Sequence, residues 1–435
     1  MITDNHPFKI NSAGHLEASG VDLVQLAETY GTPLYVYDVA IIRENCRKFV
    51  RTFESLGVRA QVAYASKAFS TIAMLQVMNQ EGMSLDVVSQ GELYTALQAE
   101  FPVNKIHMHG NNKSLEELTM AIEHDIGCIV VDNFHEIELI ERILRDKNKT
   151  IDVLMRVTPG IESNTHRYIM TGNEDSKFGF NLSNGQADQA FLRLRNNPNI
   201  HFKGLHAHIG SQLFETEGML LTAELLFKKL DCWHTDYGFI PDVLNLGGGF
   251  GIRYTREDEP LPYPEFVKEL TSAVKEHASS IGIPMPEIWI EPGRAIAGNA
   301  GLTLYTVGSI KEVPGVRNYI AVDGGMTDNL RPALYQATYE GVLANKASAT
   351  ASDTVSVAGK CCESGDMLIW DLPLPDVDEN DILAVFSTGA YGYAMANNYN
   401  RFPKPAVVFA ENGSAQLVVR RETYHDMVKN DISYE

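Results

Sequence analysis

The sequence predicts an α/β protein in which a closed (β/α)8 TIM barrel, over residues 38–298, is followed by an all-β C-terminal domain over 299–435, with residues 1–37 contributing a segment to the β domain. Three observations predict it. Eight short apolar runs alternate with amphipathic segments, the residues that end those runs are polar, and past Gly301 the alternation gives way to short strands separated by turns. Continuous apolar strands separated by helices indicate a parallel sheet covered on its outer face, and eight such units can close into a barrel. A doubly wound open sheet would show fewer units and an early dinucleotide fingerprint.

Residues 34–37 read as a short strand able to pair back into the β domain. The following 39–56 carry Ile42, Cys46, Phe49, Val50 and Phe53 at helical spacing. Barrel strands are expected at 62–66, 85–89, 106–109, 129–132, 153–157, 204–209, 243–246 and 287–291. Amphipathic helices are expected between them, at 71–80, 91–100, 115–125, 134–145, 218–234 and 263–280. The β domain is expected to hold strands at 302–307, 319–323, 354–358, 367–370, 382–386, 406–410 and 415–420, the spacing of an all-β unit.

With 44% hydrophobic and 21% charged residues among 435, the chain has the composition of a globular protein. A formal net charge of -20, with no basic patch, argues against sequence-independent binding to nucleic acid or to an anionic membrane. No run is long and apolar enough to span a bilayer, and the polar amino terminus is not that of a secretory signal. Cys46, Cys128, Cys232, Cys361 and Cys362 show no zinc-ligand spacing and read as reduced thiols of a cytoplasmic protein.

Barrel active sites lie where the strands end. Here those ends offer Lys67, Ser89, His109 with Asn111, Asp132, Arg156, His206 and His208, the run Gly247-Gly248-Gly249, and Glu291 with Arg294. Lys67 follows an apolar strand; a buried ammonium there would tend to lose its proton and become a nucleophile for carbonyl carbon. The alternative is a solvated strand-end lysine. The glycines free backbone N–H groups to approach an anion, although they match neither the P-loop nor the dinucleotide pattern. Glu291 ends an apolar strand and needs a cationic partner, either Arg294 in a structural ion pair or a protonated ring nitrogen. A lysine for an aldehyde, glycines with an arginine for a phosphate, and a glutamate for a pyridine nitrogen together match pyridoxal 5'-phosphate. His206 and His208, two apart on an expected strand, would share a face; they could bind a metal, or His208 could stack on the pyridine with Ser211 near the phosphate.

The blocks Tyr64-Ala-Ser-Lys67, His206-Ala-His208-Ile-Gly-Ser211, Gly247-Gly-Gly-Phe-Gly251 and Glu291-Pro-Gly-Arg294 resemble those of the fold-type III pyridoxal-phosphate decarboxylases. Within that family, the stretch from Asp323 through Arg331-Pro-Ala-Leu-Tyr335, and Cys362-Glu363-Ser-Gly-Asp366, are similar to the diaminopimelate decarboxylase branch. The resemblance implies a homodimer with shared active sites. It implies that Lys67 carries the cofactor covalently, that His208 stacks on its ring, and that Glu291 keeps the ring nitrogen protonated. Ser211, Gly248, Gly249, Pro292, Gly293 and Arg294 would surround the phosphate side. Arg294, Arg331, Tyr335 and Glu363 would hold the substrate, Tyr391 would reach both cofactor and substrate, and Cys362 would act as general acid. Arg331 and Tyr335, at i and i+4, would share one face of a short helix that Pro332 could disturb. Arginine forks suit a substrate with a second amino-acid head, such as meso-diaminopimelate.

Two departures accompany the resemblance. Thr158 stands where an asparagine is usual, and Cys361 doubles the cysteine before Glu363; of the two thiols, Cys362, directly before Glu363, is the one favoured as donor. The long connection 158–181 is expected to act as a lid. Alternatives on the residues alone are a decarboxylase of another basic amino acid or of carboxynorspermidine, a class I Schiff-base aldolase, a metal hydrolase, and a non-catalytic protein that binds the same cofactor.

Overall fold

The computed structural model describes residues 7–160 and 176–434. The chain divides into two compact units, one of residues 45–251 with 260–295 and one of 1–44 with 252–259 and 296–435. The first is a barrel. Its eight strands, in order Ala60–Ala65, Ser84–Val87, Ile106–Met108, Cys128–Val131, Ile151–Thr158, Ile200–His206, Val243–Asn245 and Glu287–Ile290, are parallel throughout. The eighth pairs with the first, Ile290 opposite Val62, and closes the ring. A two-residue strand, Phe180–Asn181, adds to the fifth.

Five of the strands begin one to four residues before their apolar runs, at neighbours such as Gln61 and Ser84 that carry no hydrophobic signal, and seven end one to three residues before them. Four of the helices between strands start on side-chain caps. Thr71, Ser89, Ser114 and Asn133 each accept a hydrogen bond from a backbone N–H of the first turn. Ser89, read from sequence as a strand-end polar group, is thus a helix cap. The helix that the sequence places after residue 181, without bounds, is Gln186–Arg195; its apolar face (Ala187, Ala190, Phe191, Leu194) is buried.

The second unit is mostly strand. Its main sheet runs Met367–Leu374, Asp353–Ala358, Arg317–Val322, Gly301–Val313, Leu34–Asp38, Ala406–Glu411, Ser414–Val419. Gly301–Val313 is long enough to serve two cores. Leu302 and Leu304 pack with Leu34, Val36 and Val408, whereas Tyr305 and Val307 pack with Ile320, Val357 and Leu383. Near the amino terminus, strands Lys9–Ile10, Leu16–Ala18 and Val21–Asp22 form a small sheet that leads into the helix Leu23–Tyr30, capped by Asp22. Neither this sheet nor the three-residue strand Gly341–Leu343 was foreseen. Among the described residues no helix is long and apolar enough to cross a membrane.

Candidate active site

In the barrel unit, the carboxyl ends of the strands gather most of the polar residues singled out above. The first strand stops at Ala65 and turns through a 3-10 segment, Ser66–Ala68, that buries Ser66 and Ala68 and leaves Lys67 exposed. This corrects the expectation of a buried lysine: the strand ends one residue earlier, so the turn swings the side chain out of the core. Ser66 is anchored by donating a 2.7 Å hydrogen bond to Glu92 Oε2, which also accepts one from the Val88 N–H.

Glu291, 6% exposed, is the centre of the buried network. His109 Nε2 lies 3.0 Å from its Oε1, and His206 Nε2 lies 3.2 Å from its Oε2. The Asn245 side-chain N–H donates to Oε1 at 2.6 Å. Burial by itself would raise the Glu291 carboxyl, but the two imidazoles and their hydrogen bonds hold it well below the usual carboxylate range. His109 is raised despite burial, because Asp86 and Glu291 both face it, and its ring nitrogen stands 3.7 Å from Asp86 Oδ1. Burial pushes His206 down to about 4. The partners of Glu291 in this chain are therefore two histidines and an asparagine, in place of the Arg294 ion pair considered from sequence.

The histidine pair does not converge on one ligand. His206 ends the sixth strand and turns to Glu291, while His208 lies beyond the strand, where its Nδ1 accepts a 3.2 Å hydrogen bond from the Gly248 N–H. Burial, and then the charge of Lys67, hold His208 well below its ordinary value, so its ring is neutral. Donor atoms of His109, His206 and Glu291 do lie within 4.8 Å of one another, but the carboxylate is already engaged by hydrogen bonds with Asn245 and His206 and by the ion pair with His109.

The glycine run needs its glycines. A Cβ on Gly248 would sit 2.1 Å from the Glu291 carbonyl oxygen, and one on Gly249, whose φ is +106°, would sit 2.3 Å from the Gly210 oxygen. Pro292 and Gly293 are buried behind this loop, the Pro292 oxygen accepting from the Ala65 N–H. Arg294 Nη2 donates to Ser211 Oγ at 3.0 Å. Arg156 lies over the Phe178 ring at 4.1 Å and 3.9 Å from Asp132. Thr158 donates to the Phe178 oxygen at 2.5 Å; of the expected lid, residues 161–175 lie outside those described.

In the β unit, Arg331–Tyr335 is a short helix with Pro332 in its first turn, where a missing N–H is harmless. Arg331 Nε donates to the Tyr339 hydroxyl at 3.0 Å, and its guanidinium lies 5.4 Å from the Tyr335 ring and 5.8 Å from each of the Tyr254 and Tyr391 rings. Tyr391 holds φ at +59°, an uncommon conformation for a bulky residue and one that concentrates at functional sites. Cys362 and Glu363 are exposed.

Sequence reasoning gave no role to Asn245, Asp86, Glu92 or His109. For Asn245 and Asp86 the available signal was a polar residue inside an apolar strand, which must be satisfied by a partner when buried.

A carboxylate kept ionised at the barrel mouth suits a protonated pyridine nitrogen, a neutral imidazole suits ring stacking, and backbone with no room for side chains suits close approach of a phosphate. The residues thus fit pyridoxal phosphate. Residues 39–298 match the family model described as pyridoxal-dependent decarboxylase, pyridoxal binding domain. The chain is 63% identical to a diaminopimelate decarboxylase of Bacillus subtilis (strain 168), over 98% of this chain and 97% of that one. It superposes on the crystal structure of diaminopimelate decarboxylase from M. jannaschii with a TM-score of 0.93 and 33% identity, covering 98% of both chains. The same protein in co-complex with L-lysine gives 0.93 and 32%, over 100% and 99%. On sequence and fold together, this chain belongs to the diaminopimelate decarboxylases of the pyridoxal-dependent decarboxylase family.

Proposed function

We propose that the chain removes carbon dioxide from the D-centre of meso-2,6-diaminopimelate to give L-lysine, the last step of lysine biosynthesis, with pyridoxal 5'-phosphate as cofactor. The observation that carries this reading is identity of 63% to a diaminopimelate decarboxylase across nearly the whole chain. The bound cofactor supplies an electron-withdrawing ring that stabilises the charge left on the substrate carbon. Lys67 holds the cofactor covalently. His208, neutral, stacks against its ring, and Glu291, ionised, keeps the ring nitrogen protonated. Ser211, Gly248, Gly249, Pro292, Gly293 and Arg294 surround the phosphate side.

Arg294, Arg331, Tyr335, Glu363 and Tyr391 hold the substrate by its distal amino-acid head, which orients the bond to be broken. Planar guanidinium forks favour a carboxylate there. Cys362 returns a proton to the carbon that has lost its carboxylate. The protein works as a homodimer in the cytoplasm, and Cys362 and Glu363 of the partner subunit complete each site.

Turnover of purified, cofactor-loaded protein with meso-diaminopimelate, lysine, ornithine, arginine and carboxynorspermidine tests the assignment. L-lysine and carbon dioxide from meso-diaminopimelate, at the highest kcat/KM of the set, is the expected result. Preference for a substrate lacking the second carboxylate would overturn it.

A further inference from the structure

One buried carboxylate in the β unit ties together two loops to which the proposed function assigns different tasks. Asp366 is 3% exposed. Its Oδ1 accepts a 2.6 Å hydrogen bond from the Met326 N–H, and its Oδ2 accepts one of 2.8 Å from the Cys361 N–H. Two backbone bonds of 2.9 Å run alongside, from the Gly359 N–H to the Asp366 oxygen and from the Lys360 N–H to the Gly324 oxygen. The carboxylate fits because nothing else does. A Cβ on Gly359 would lie 2.1 Å from its Oδ2, and one on Gly325 would lie 2.4 Å from the same atom. Residues 323–330 lead directly into the helix that begins with Arg331, and Cys361 leads directly into Cys362.

The neighbouring cysteines are held differently. Burial, and then the nearby Asp366 carboxylate, push the Cys361 thiol up to about 11. Cys362 is exposed; its N–H donates to Asn400 Oδ1 at 2.9 Å. The Glu363 N–H reaches back to the Cys361 oxygen at 2.8 Å, closing a three-residue turn with Cys362 at its apex.

We propose that Asp366 is a positioning residue for the proton donor: by accepting from Met326 and Cys361 at once, it pins the first cysteine and sets the turn that presents the second. A carboxylate accepting backbone N–H groups makes shorter and stronger bonds than a neutral acceptor, which suits it to fix two loops. The proposal rests on the assignment of Cys362 as general acid.

The test is a double-mutant cycle on the cofactor-loaded enzyme with D366N, C362A and the double variant, reading kcat, KM and melting temperature. C362A is expected to lower kcat by about 100-fold, within the range of general-acid contributions. D366N is expected to lower kcat about tenfold in the parent, yet less than about twofold in the C362A background, because residues acting as a unit are not additive. Equal losses in both backgrounds would show a merely structural Asp366 and overturn the proposal, as would an unchanged kcat in D366N. Wild-type turnover by C362A would remove the donor assignment itself, and the proposal with it. Should D366N fail to fold, G359A, whose Cβ presses on the same carboxylate, takes its place in the cycle.

Discussion

Asn245 joins Glu291 to the glycine run. Its side-chain N–H donates to Glu291 Oε1 at 2.6 Å, while its side-chain oxygen accepts from the Gly247 N–H at 2.8 Å. The Glu291 N–H in turn donates to the Gly247 oxygen at 2.8 Å. A single fully buried amide therefore registers the acid at the end of the eighth strand against the loop after the seventh. Replacement by leucine, N245L, keeps the volume and strands both partners. Loss of a buried hydrogen bond to a charged group is worth about 1.5–3 kcal/mol, so cofactor affinity should fall roughly 10- to 100-fold. Titration of the apoprotein by absorbance checks this, and an unchanged dissociation constant would contradict it.

The role proposed for Glu291 requires its charge as well as its shape. E291Q retains the outline and most hydrogen bonds but removes the negative charge that two histidines stabilise. Turnover should fall by about 100-fold or more, the scale of a lost preorganised electrostatic interaction. The melting temperature of the loaded protein should change far less than the rate.

The barrel interior carries a pH dependence of its own. His107 stacks on Trp289 with centroids 4.1 Å apart and planes 5° from parallel, and burial pushes it down to about 3. Its folded value is depressed below the unfolded one near 6.5, so the unfolded chain binds the proton first and stability is lost as pH falls through that window. Between pH 7 and pH 5 this residue alone should cost about 2 kcal/mol by linkage. H107F keeps the stack and should flatten the urea-unfolding profile over that range; an unchanged slope would refute the assignment.

Much of this architecture was legible in the sequence, for a physical reason. Parallel strands buried on both faces read as continuous apolar runs, so all eight barrel strands could be found within a few residues. Strands of two or three residues, such as Lys9–Ile10 and Gly341–Leu343, have no periodicity to detect. Glu291 stood out because it ends an apolar run, and His208 because it pairs with His206 two residues earlier. Asn245 did not, since its only mark was polarity within a three-residue strand, and its meaning depended on Glu291, far away in sequence. Lys67 was found for a reason the structure corrects, because its exposure is set by where the strand stops.

A buried ion pair supports the third and fourth barrel exits. Lys113 Nζ lies 2.6 Å from Glu136 Oε1, with both side chains 1% exposed, and also donates to the Gly110 and Val130 oxygens. K113M leaves an uncompensated carboxylate and should destabilise by about 3–5 kcal/mol in urea unfolding, whereas K113M with E136L should cost less than K113M alone.

If each site takes Lys67 from one subunit and Cys362 of the partner subunit, then the K67A and C362A proteins, each of low activity alone, should complement. Mixed under conditions that exchange subunits, they should recover about a quarter of wild-type activity, because half the dimers are mixed and each has one intact site. No recovery from demonstrably exchanged subunits would contradict shared sites.

The central claim is that the exposed amine beside buried Ser66 carries the cofactor. Borohydride reduction of the loaded enzyme followed by peptide mapping tests it most directly. A pyridoxyl mass on Lys67, with loss of the visible absorption band, is the predicted result; the label on another lysine, or no label on active loaded protein, would contradict it.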